Sequence, residues 1–282
     1  MTTREKFFAR LALEEAVLIT VHATRGSVPR EQGAWMAVFS QGAVGTIGGG
    51  HLEFEATAQA RERLLGLPGG EGEPVQRFAL GPSLGQCCGG EVHLRFERVS
   101  AADIALLQAR LAAKLYPVAL FGGGHVGHAL VRVLAPLPLQ VSWIDSRDEV
   151  FPVGLPSNVS CEHSDPVQAA VAQLAPHSRV LIMSFSHAED LEVVAACLKR
   201  QRLQADLPYV GLIGSKTKWA TFRHRLEARG FTPQELAHIT CPIGIPGIAG
   251  KEPEVIAVAV AAQILQTLPA HSARRGHTKG QD

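Results

Sequence analysis

Two adjacent cysteines are the most chemically distinctive residues of the sequence. Cys87 and Cys88 follow Gln86 and precede two glycines in the segment GPSLGQCCGG. Thiolates in a glycine-rich loop can ligate a soft metal or carry sulfur as a persulfide. Neighbouring cysteines do not easily bind one zinc ion tetrahedrally, and no Cys-x-x-Cys motif completes a structural zinc site. The pair is therefore a candidate for metal or sulfur chemistry, with small buried side chains as the alternative.

A glycine-rich turn is the second candidate site. Gly122, Gly124 and Gly127 satisfy G-x-G-x-x-G directly after the apolar segment PVALF. The first glycine permits a tight turn, the second leaves room for a pyrophosphate, and the third lets a helix pack close to the strand. Asp145, 23 positions after Gly122, stands where a ribose-binding acid is expected. The pattern predicts a dinucleotide site, and the alternative is a Rossmann-like turn that binds no dinucleotide.

A second turn, Gly48-Gly49-Gly50 followed by His51, repeats the same local sequence without the third glycine, because position 53 is Glu. A carboxylate in the first turn of a helix complements the helix dipole and would compete with a bound anion. The segment is therefore either a second anion site or a tight turn.

Four polar residues in predicted loops and helix starts complete the candidate set. Arg25 and Arg30 in TRGSVPR could hold a phosphate or carboxylate through their guanidinium groups, or be ordinary surface charge. His187 follows the strand RVLIMS at its carboxyl end, where open α/β sheets bind ligands, and we expect a helix cap or a ligand contact there. Lys216 opens a helix together with Lys218, although cations are disfavoured at that end. A bound anion would explain these lysines, as would a solvated helix face.

The pattern of elements changes near residue 114. From Tyr116 onward, short apolar strands alternate with helices, which is typical of a doubly wound parallel sheet. The fold class is therefore α/β, with an N-terminal mixed α/β domain over 1–113 and a Rossmann-like doubly wound parallel-sheet domain over 114–268. The polar residues 269–282 are expected to be a disordered tail.

The hydrophobic periodicity predicts the individual elements. The predicted helices cover 3–13, 51–65, 101–113, a segment from 125, 166–175, 189–201, 215–229 and 253–268. The predicted strands cover 16–23, 34–39, 43–47, 75–80, 92–96, and the segments PVALF, LQVSWID, RVLIMS and YVGLIG.

Composition excludes several classes of protein. The 282 residues carry 27 Lys plus Arg against 26 Asp plus Glu, and 46% are hydrophobic. This balance excludes an intrinsically disordered chain and gives no electrostatic footprint for nucleic acid or a membrane surface, so we expect neither partner. The longest apolar run, Val255–Ala262, is far shorter than a membrane helix. Charged residues interrupt the amino-terminal segment, so we expect a cytoplasmic protein with reduced thiols.

Seven motifs, in order over about residues 15–267, resemble the XdhC/CoxI family. They are TRGSVPREQGAWM, GTIGGGHLEFEA, GPSLGQCCGG, LFGGGHVG, WIDSR, YVGLIGSKTKWATF and CPIGIPGIAGKEPEVIAVAVAAQIL. The resemblance implies a cytoplasmic chaperone that binds molybdenum cofactor, supports its sulfuration with a cysteine desulfurase, and supplies it to xanthine dehydrogenase. It implies that the protein is not itself an enzyme. Exchange with large partner enzymes would suit a homodimer.

The same resemblance bears on the candidate residues. Cys87 and Cys88 match the family's cysteine motif, which implies a thiolate contact to molybdenum by one or both. One departure is Gly123, where relatives often carry Ala. Two other functions stay open: an NAD-dependent oxidoreductase built on the glycine turn and Asp145, and a nucleotide-sensing Rossmann protein. The oxidoreductase ranks lower because no acid/base and substrate-anchoring set for hydride transfer is recognisable.

Overall fold

The chain divides into two units, Met1–Ala112 and Ala113–Asp282, in the computed structural model. The structure describes residues 1–66, 73–80, 89–112 and 114–269. Gln86, Cys87, Cys88 and the predicted disordered tail from residue 270 onward lie outside the described residues.

The first unit is built on one antiparallel sheet. Its strands are β1 (Ala16–Arg25), β2 (Trp35–Phe39), β3 (Ala43–Gly45), β4 (Val75–Ala79) and β5 (Glu91–Val99). Their order is β3-β2-β1-β5-β4. The helices are α1 (Thr3–Leu11), α2 (Gly50–Leu64) and α3 (Ile104–Arg110), and a 3-10 turn, Ala101–Asp103, precedes α3.

The central strand β1 is covered on both faces for most of its length. Val17 and Ile19 pack in the cluster that contains Leu52 of α2. Leu18, on the opposite face, packs in the cluster that contains Phe7 of α1. Burial on both faces explains why the strand begins as a continuous apolar run instead of a polar–apolar alternation.

The second unit is a six-stranded parallel sheet. Its strands are β6 (Tyr116–Phe121), β7 (Leu139–Asp145), β8 (Val159–His163), β9 (Arg179–Ile182), β10 (Tyr209–Leu212) and β11 (Ile239–Thr240). The order β8-β7-β6-β9-β10-β11 is 3-2-1-4-5-6 along the chain, the arrangement of dinucleotide-binding sheets. The predicted fold class, a mixed α/β unit followed by a doubly wound parallel sheet, is confirmed.

Helices cover both faces of this sheet. They are α4 (His125–Leu134), α5 (His187–Gln204), α6 (Lys216–Glu227), α7 (Pro233–Leu236) and α8 (Pro253–Gln266). Leu130 of α4 and Val260 of α8 share one core cluster. Val194 of α5 and Phe222 of α6 share the other. Because α4, α5 and α6 each follow a strand, they begin at the carboxyl edge of the sheet, where ligands bind in this class of fold.

Some elements of the second unit differ from the sequence prediction. The segment predicted as a helix over 166–175 is a 3-10 helix, Val167–Gln173. The strands β8 and β11 and the short helix α7 were missed. In β8 only Val159 is buried, and β11 has two residues, so neither produces an apolar run that periodicity could detect.

In the described part of the chain, no helix combines the length and the apolar character that crossing a membrane requires.

Candidate functional site

The strand order reverses between β6 and β9, and the glycine turn lies at the carboxyl end of β6. The Gly122 N–H donates to the carbonyl oxygen of Ile144 at 2.8 Å, and the Met183 N–H donates to that of Phe121 at 2.8 Å. The turn is therefore hydrogen-bonded to β7 on one side and linked through Phe121 to the end of β9 on the other. This reversal point is where parallel sheets of this order bind ligands.

The three glycines of this turn have different surroundings. A Cβ atom on Gly122, whose φ is +126°, would lie 2.0 Å from the Met183 carbonyl oxygen. A Cβ on Gly127 would lie 2.1 Å from the Gly122 carbonyl oxygen, whereas one on Gly124 would have no atom within 4 Å. The geometry matches the predicted tight turn, the predicted close packing and the predicted open space. Ligand binding there stays a prediction.

The N-terminus of α4 is open toward that space. Its N-cap is Gly124, no side chain caps it, and no acidic residue stands in its first turn. By contrast, α5 is capped by Ser186 and carries Glu189 and Asp190 in its first turn. The α6 N-terminus is capped by Ser215. Of these three helix starts, α4 is thus the one that offers unpaired N–H groups to an anion without competition from its own side chains.

Asp145, the predicted ribose ligand, is only 1% exposed and already has several donors. Its Oδ1 accepts the Arg147 N–H and Nε–H, both at 2.9 Å, and its Oδ2 accepts the Gly123 N–H at 2.5 Å and Arg147 Nη2 at 3.0 Å. Burial raises the pKa of Asp145, but the bonds from Arg147 and Gly123 outweigh it, and the pKa is lowered overall. A ribose hydroxyl would have to displace Arg147 to reach this carboxylate.

Arg147 also contacts an exposed aromatic ring. Its guanidinium carbon lies 4.5 Å from the centroid of the Phe185 ring, and Phe185 is 64% exposed. Phe185 follows β9, so the turn after β7 and the turn after β9 are joined at the ligand-binding edge. Such a stacked pair presents a flat apolar surface beside a positive charge.

The lysines that open α6 have different environments. Lys218 Nζ donates to Asp190 Oδ2 at 2.6 Å and to the Ile213 carbonyl oxygen at 2.9 Å, and this ion pair is almost fully buried. Asp190 Oδ1 also accepts the Ser184 N–H at 2.7 Å. Lys218 is therefore explained by a carboxylate of the protein. Lys216 is exposed and forms no ion pair within the described ranges, so its predicted contact with a ligand stays a prediction.

His187 does not cap a helix. It is the first residue of α5, and Ser186 is the cap, because the Ser186 hydroxyl accepts the Glu189 N–H at 3.2 Å. The prediction of a cap at His187 was wrong. The imidazole is exposed, and its ring lies edge-on to that of Phe222 with centroids 6.4 Å apart. A ligand contact by His187 stays a prediction.

In the first unit, three of the singled-out motifs come together. A Cβ built on Gly90, which follows the cysteine pair, would lie 2.1 Å from the carbonyl oxygen of Ser27 in TRGSVPR. A Cβ built on Gly48 would lie 2.4 Å from Cγ of Pro29 in the same loop. The TRGSVPR loop therefore packs against the glycine turn before α2 and against Gly90, which follows the cysteine pair in the sequence.

The glycine turn before α2 holds an anion of the protein itself. Glu53 Oε1 accepts the N–H groups of Ile47 and Gly49 at 2.9 Å and of Gly48 at 3.2 Å, and it also accepts the Thr46 hydroxyl. Burial raises the pKa of Glu53, but these hydrogen bonds together outweigh it and lower the pKa. The competition expected from Glu53 is confirmed, and the tight-turn alternative accounts for this segment.

Two arginines of the segment TRGSVPR have no ion-pair partner among the described residues. Arg25 and Arg30 are both exposed, and neither forms an ion pair with a described residue. A Cβ on Gly48 would lie 3.6 Å from Cγ of Arg30, so that side chain starts at the glycine turn. Both arginines are therefore available to a phosphate or carboxylate.

The described cysteines differ from the predicted thiol pair. Burial raises the pKa of Cys197 to about 12, which fits its prediction as a core residue. Cys161 is exposed and Cys241 half-buried. Among the residues that the structure describes, no group of three or more His, Cys, Asp or Glu could hold a metal. Cys87 and Cys88 lie outside those residues, so metal ligation by them stays a prediction.

The two units define a class of protein: an antiparallel α/β unit with converging glycine, arginine and cysteine segments, followed by a Rossmann sheet with an open glycine turn. A family model described as the XdhC Rossmann domain matches residues 118–264, slightly more than half of the chain. Another, described as the XdhC and CoxI family, matches residues 9–77. The chain belongs to the XdhC and CoxI family.

A curated protein and a solved structure are similar to this chain in different ways. The chain is 26% identical over 252 residues to "Uncharacterized protein YqeB" of Escherichia coli K12, a match that covers 86% of this chain and 42% of that protein. The chain thus spans less than half the length of this curated relative. A crystal structure described as a xanthine dehydrogenase from Bacillus halodurans is similar with a TM-score of 0.72 and 19% identity, over 95% of this chain and 96% of that chain. At this identity the similarity shows a shared fold and nothing beyond it.

Proposed function

We propose that the protein is a molybdenum cofactor chaperone of the cytoplasm. It binds the cofactor, supports its sulfuration together with a cysteine desulfurase, and delivers it to xanthine dehydrogenase. It acts as a carrier and does not oxidise purines itself. Membership in the XdhC and CoxI family supports the role in maturation, and exchange with large partner enzymes would suit a homodimer.

The convergence of three loops in the first unit carries this proposal. Gly90, just after the cysteine pair, lies against Ser27, and Pro29 of the same loop lies against the glycine turn. Two exposed arginines have no ion-pair partners in the described ranges: Arg25 at the end of β1 and Arg30 in this loop. The cofactor offers a phosphate, which guanidinium groups bind well, and a metal centre suited to thiolate ligands.

The roles of the residues follow from this chemistry. Cys87 or Cys88 would supply the thiolate that contacts molybdenum, and Gln86 would donate or accept a hydrogen bond beside it. Arg25 and Arg30 would hold the phosphate. Glu53 keeps the neighbouring backbone N–H groups occupied, which directs an incoming phosphate to the arginines instead of the turn.

Retention of isolated cofactor tests this proposal. Purified reduced protein is incubated with molybdenum cofactor, free ligand is removed by filtration, and the retained pterin and molybdenum are quantified. We expect Cys87→Ala or Cys88→Ala to weaken retention by about tenfold or more, since even indirect partners of metal sites contribute that much. Arg30→Gln should weaken the retention of pterin and molybdenum together.

Cys161→Ala is the matched control, because Cys161 is an exposed thiol of the second unit. This variant should retain cofactor as the unchanged protein does. If both single variants of the cysteine pair and the double variant retained the cofactor fully, the thiolate role would be refuted.

The open glycine turn of the second unit supports a second function, the sensing of a nucleotide such as NAD. Its basis is the uncapped α4 N-terminus beside the empty space at Gly124. An NAD-dependent oxidoreductase is less well supported, because the sequence shows no recognisable acid/base and substrate-anchoring set for hydride transfer. Titration with NAD and with molybdenum cofactor separates the cases.

Gly124→Val is the informative variant for the second unit. A Cβ there has no protein atom within 4 Å, so the fold should be kept while a phosphate is excluded. Loss of NAD binding with intact cofactor retention would support nucleotide sensing by the second unit. Unchanged binding of both ligands by folded Gly124→Val would show that the glycine turn serves only the fold.

A further inference from the structure

A pocket of the first unit is lined by residues of β1, β5 and α3 and by the end of the loop between β1 and β2. It has a volume of about 330 Å³. Its lining includes Thr20, His22, Gln32, Arg95, Glu97 and Arg110. All of these belong to the first unit, so the pocket does not depend on how the two units are arranged.

Two buried polar atoms of this pocket have no hydrogen-bond partner among the described residues. They are the Oγ1 of Thr20 and the Nε of Arg95. Thr20 of β1 and Arg95 of β5 are paired across the sheet, so the two side chains stand on the same face as neighbours. Buried donors and acceptors are normally satisfied, and an unsatisfied pair at one place indicates a ligand or an ordered water.

The charges around the pocket select the kind of ligand. Arg110 forms a two-pronged ion pair with Glu97, with Nη1–Oε1 at 2.8 Å and Nη2–Oε2 at 2.9 Å. Arg95 forms no ion pair with a carboxylate of the described residues, although Glu97 lies two positions along the same strand. Among the described residues, the positive charge of Arg95 at the pocket therefore has no carboxylate partner.

We propose that this pocket binds an oxyanion, either free inorganic phosphate or the phosphate group of a larger organic molecule. The guanidinium of Arg95 donates to two oxygen atoms, Nε–H being one of the donors, and the Thr20 hydroxyl donates to an oxygen of the same group. Arg110 stays with Glu97 and adds positive potential at the rim. The volume exceeds that of a bare phosphate, so it leaves room for an organic substituent.

This site is independent of the proposed cofactor chaperone. The residues that line the pocket are not those proposed to hold the molybdenum cofactor, and the glycine turn before α2 already holds Glu53. An oxyanion at Arg95 would therefore be a further ligand of the protein, and its binding can fail while cofactor retention succeeds.

The side-chain resonance of Arg95 reports directly on binding. In a 15N-labelled full chain, the Nε–H signal that disappears in Arg95→Gln is followed during titration with inorganic phosphate, with glycerol phosphate, and with chloride at the same ionic strength. We expect both phosphates to shift this signal with saturation, and chloride to leave it in place. Tighter binding of glycerol phosphate would identify an organic phosphate as the natural ligand, and equal binding would identify phosphate itself.

Calorimetric titration of variants gives the second readout. Arg95→Gln should weaken phosphate binding by about tenfold or more, as expected for loss of a charged hydrogen-bond donor, and Thr20→Val should weaken it by a few-fold. Arg98→Gln is the matched control, since Arg98 lies on the same strand but pairs with Glu15 at the surface. It should leave the affinity unchanged.

The thermal midpoint of each variant shows whether it folds. If Arg95→Gln were unfolded, the affinity of folded Thr20→Val for inorganic phosphate would still decide the question, and an affinity equal to that of the unchanged protein would overturn the proposal. An Arg95 signal that does not respond to either phosphate, or equal affinities in the unchanged protein and a folded Arg95→Gln, would overturn the proposal and leave water as the occupant.

Discussion

Removal of the Glu53 carboxylate should destabilise the first unit measurably. In Glu53→Ala, the three backbone N–H groups of the turn before α2 lose their acceptor, together with the Thr46 hydroxyl. Loss of a helix cap that makes one hydrogen bond lowers the free energy of unfolding by about 1 kcal/mol. Since several donors lose a charged acceptor here and water replaces it only in part, we expect the free energy of unfolding to fall by about 2 kcal/mol.

Urea unfolding followed by circular dichroism measures this change. Glu55→Ala is the matched control, because Glu55 is on the same helix and its one ion pair with a described residue is the exposed pair with His51 at 3.0 Å. Exposed pairs of this kind contribute well under about 1 kcal/mol. A loss in Glu53→Ala no larger than that in Glu55→Ala would refute the stabilising role assigned to Glu53.

Chemical rescue makes the test specific to the turn. Formate carries the same carboxylate and is small enough to enter the space that the Glu53 side chain leaves. At ten times its dissociation constant it would restore about 1.4 kcal/mol in Glu53→Ala. Neither the unchanged protein nor Glu55→Ala should gain as much. The absence of a selective gain would show that the turn does not form an anion site when Glu53 is removed.

The pH dependence follows from the lowered pKa of Glu53. A carboxylate whose pKa is lower in the folded state binds its proton more tightly in the unfolded state. Its contribution is therefore complete above the ordinary glutamate pKa of about 4.3 and declines as the pH falls through the folded-state pKa. The difference between the unchanged protein and Glu53→Ala should be constant near neutral pH and shrink in acid.

Three further outcomes are expected. Gly127→Ala should lower the unfolding free energy by about 2 kcal/mol, because its Cβ would lie 2.1 Å from a carbonyl oxygen, and an unchanged thermal midpoint would contradict this close approach. Lys218→Met should lower the free energy of unfolding in urea by about 3 kcal/mol, because it leaves Asp190 buried without its partner. The additional substitution Asp190→Leu should recover much of that loss. A single variant as stable as the unchanged protein would contradict the buried ion pair. Peptide mapping after brief treatment with iodoacetamide should find native Cys161 labelled and Cys197 protected until unfolding, since Cys197 is buried with a pKa raised to about 12.

The elements with strong patterns were predictable from the sequence. The alternation of strands such as PVALF and LQVSWID with helices predicts the parallel sheet, because both faces of such strands are buried. The glycine spacing at 122–127 predicts the turn between β6 and α4, because the close backbone contact at Gly127 excludes a side chain. The strand β8 could not be predicted from hydrophobic periodicity, because it is an edge strand with a single buried residue.

The partners of polar side chains were harder to foresee. Asp145 was placed correctly at the end of β7, but the sequence does not show that Arg147 turns back onto it. The pair Lys218–Asp190 joins residues 28 positions apart, so periodicity carries no signal for it. Glu53 was the exception, because its partners lie within seven positions along the chain and local electrostatics indicated its role.

The bond between the Gly123 N–H and Asp145 means that the glycine turn is held in place before any ligand arrives. The backbone of this turn therefore loses little conformational entropy when a ligand enters, and the cost of ordering it is met during folding. Gly123 should accordingly be among the slowly exchanging amides of the free protein, although it lies in a loop. Association at this edge should then be limited by diffusion and orientation of the ligand instead of by loop closure.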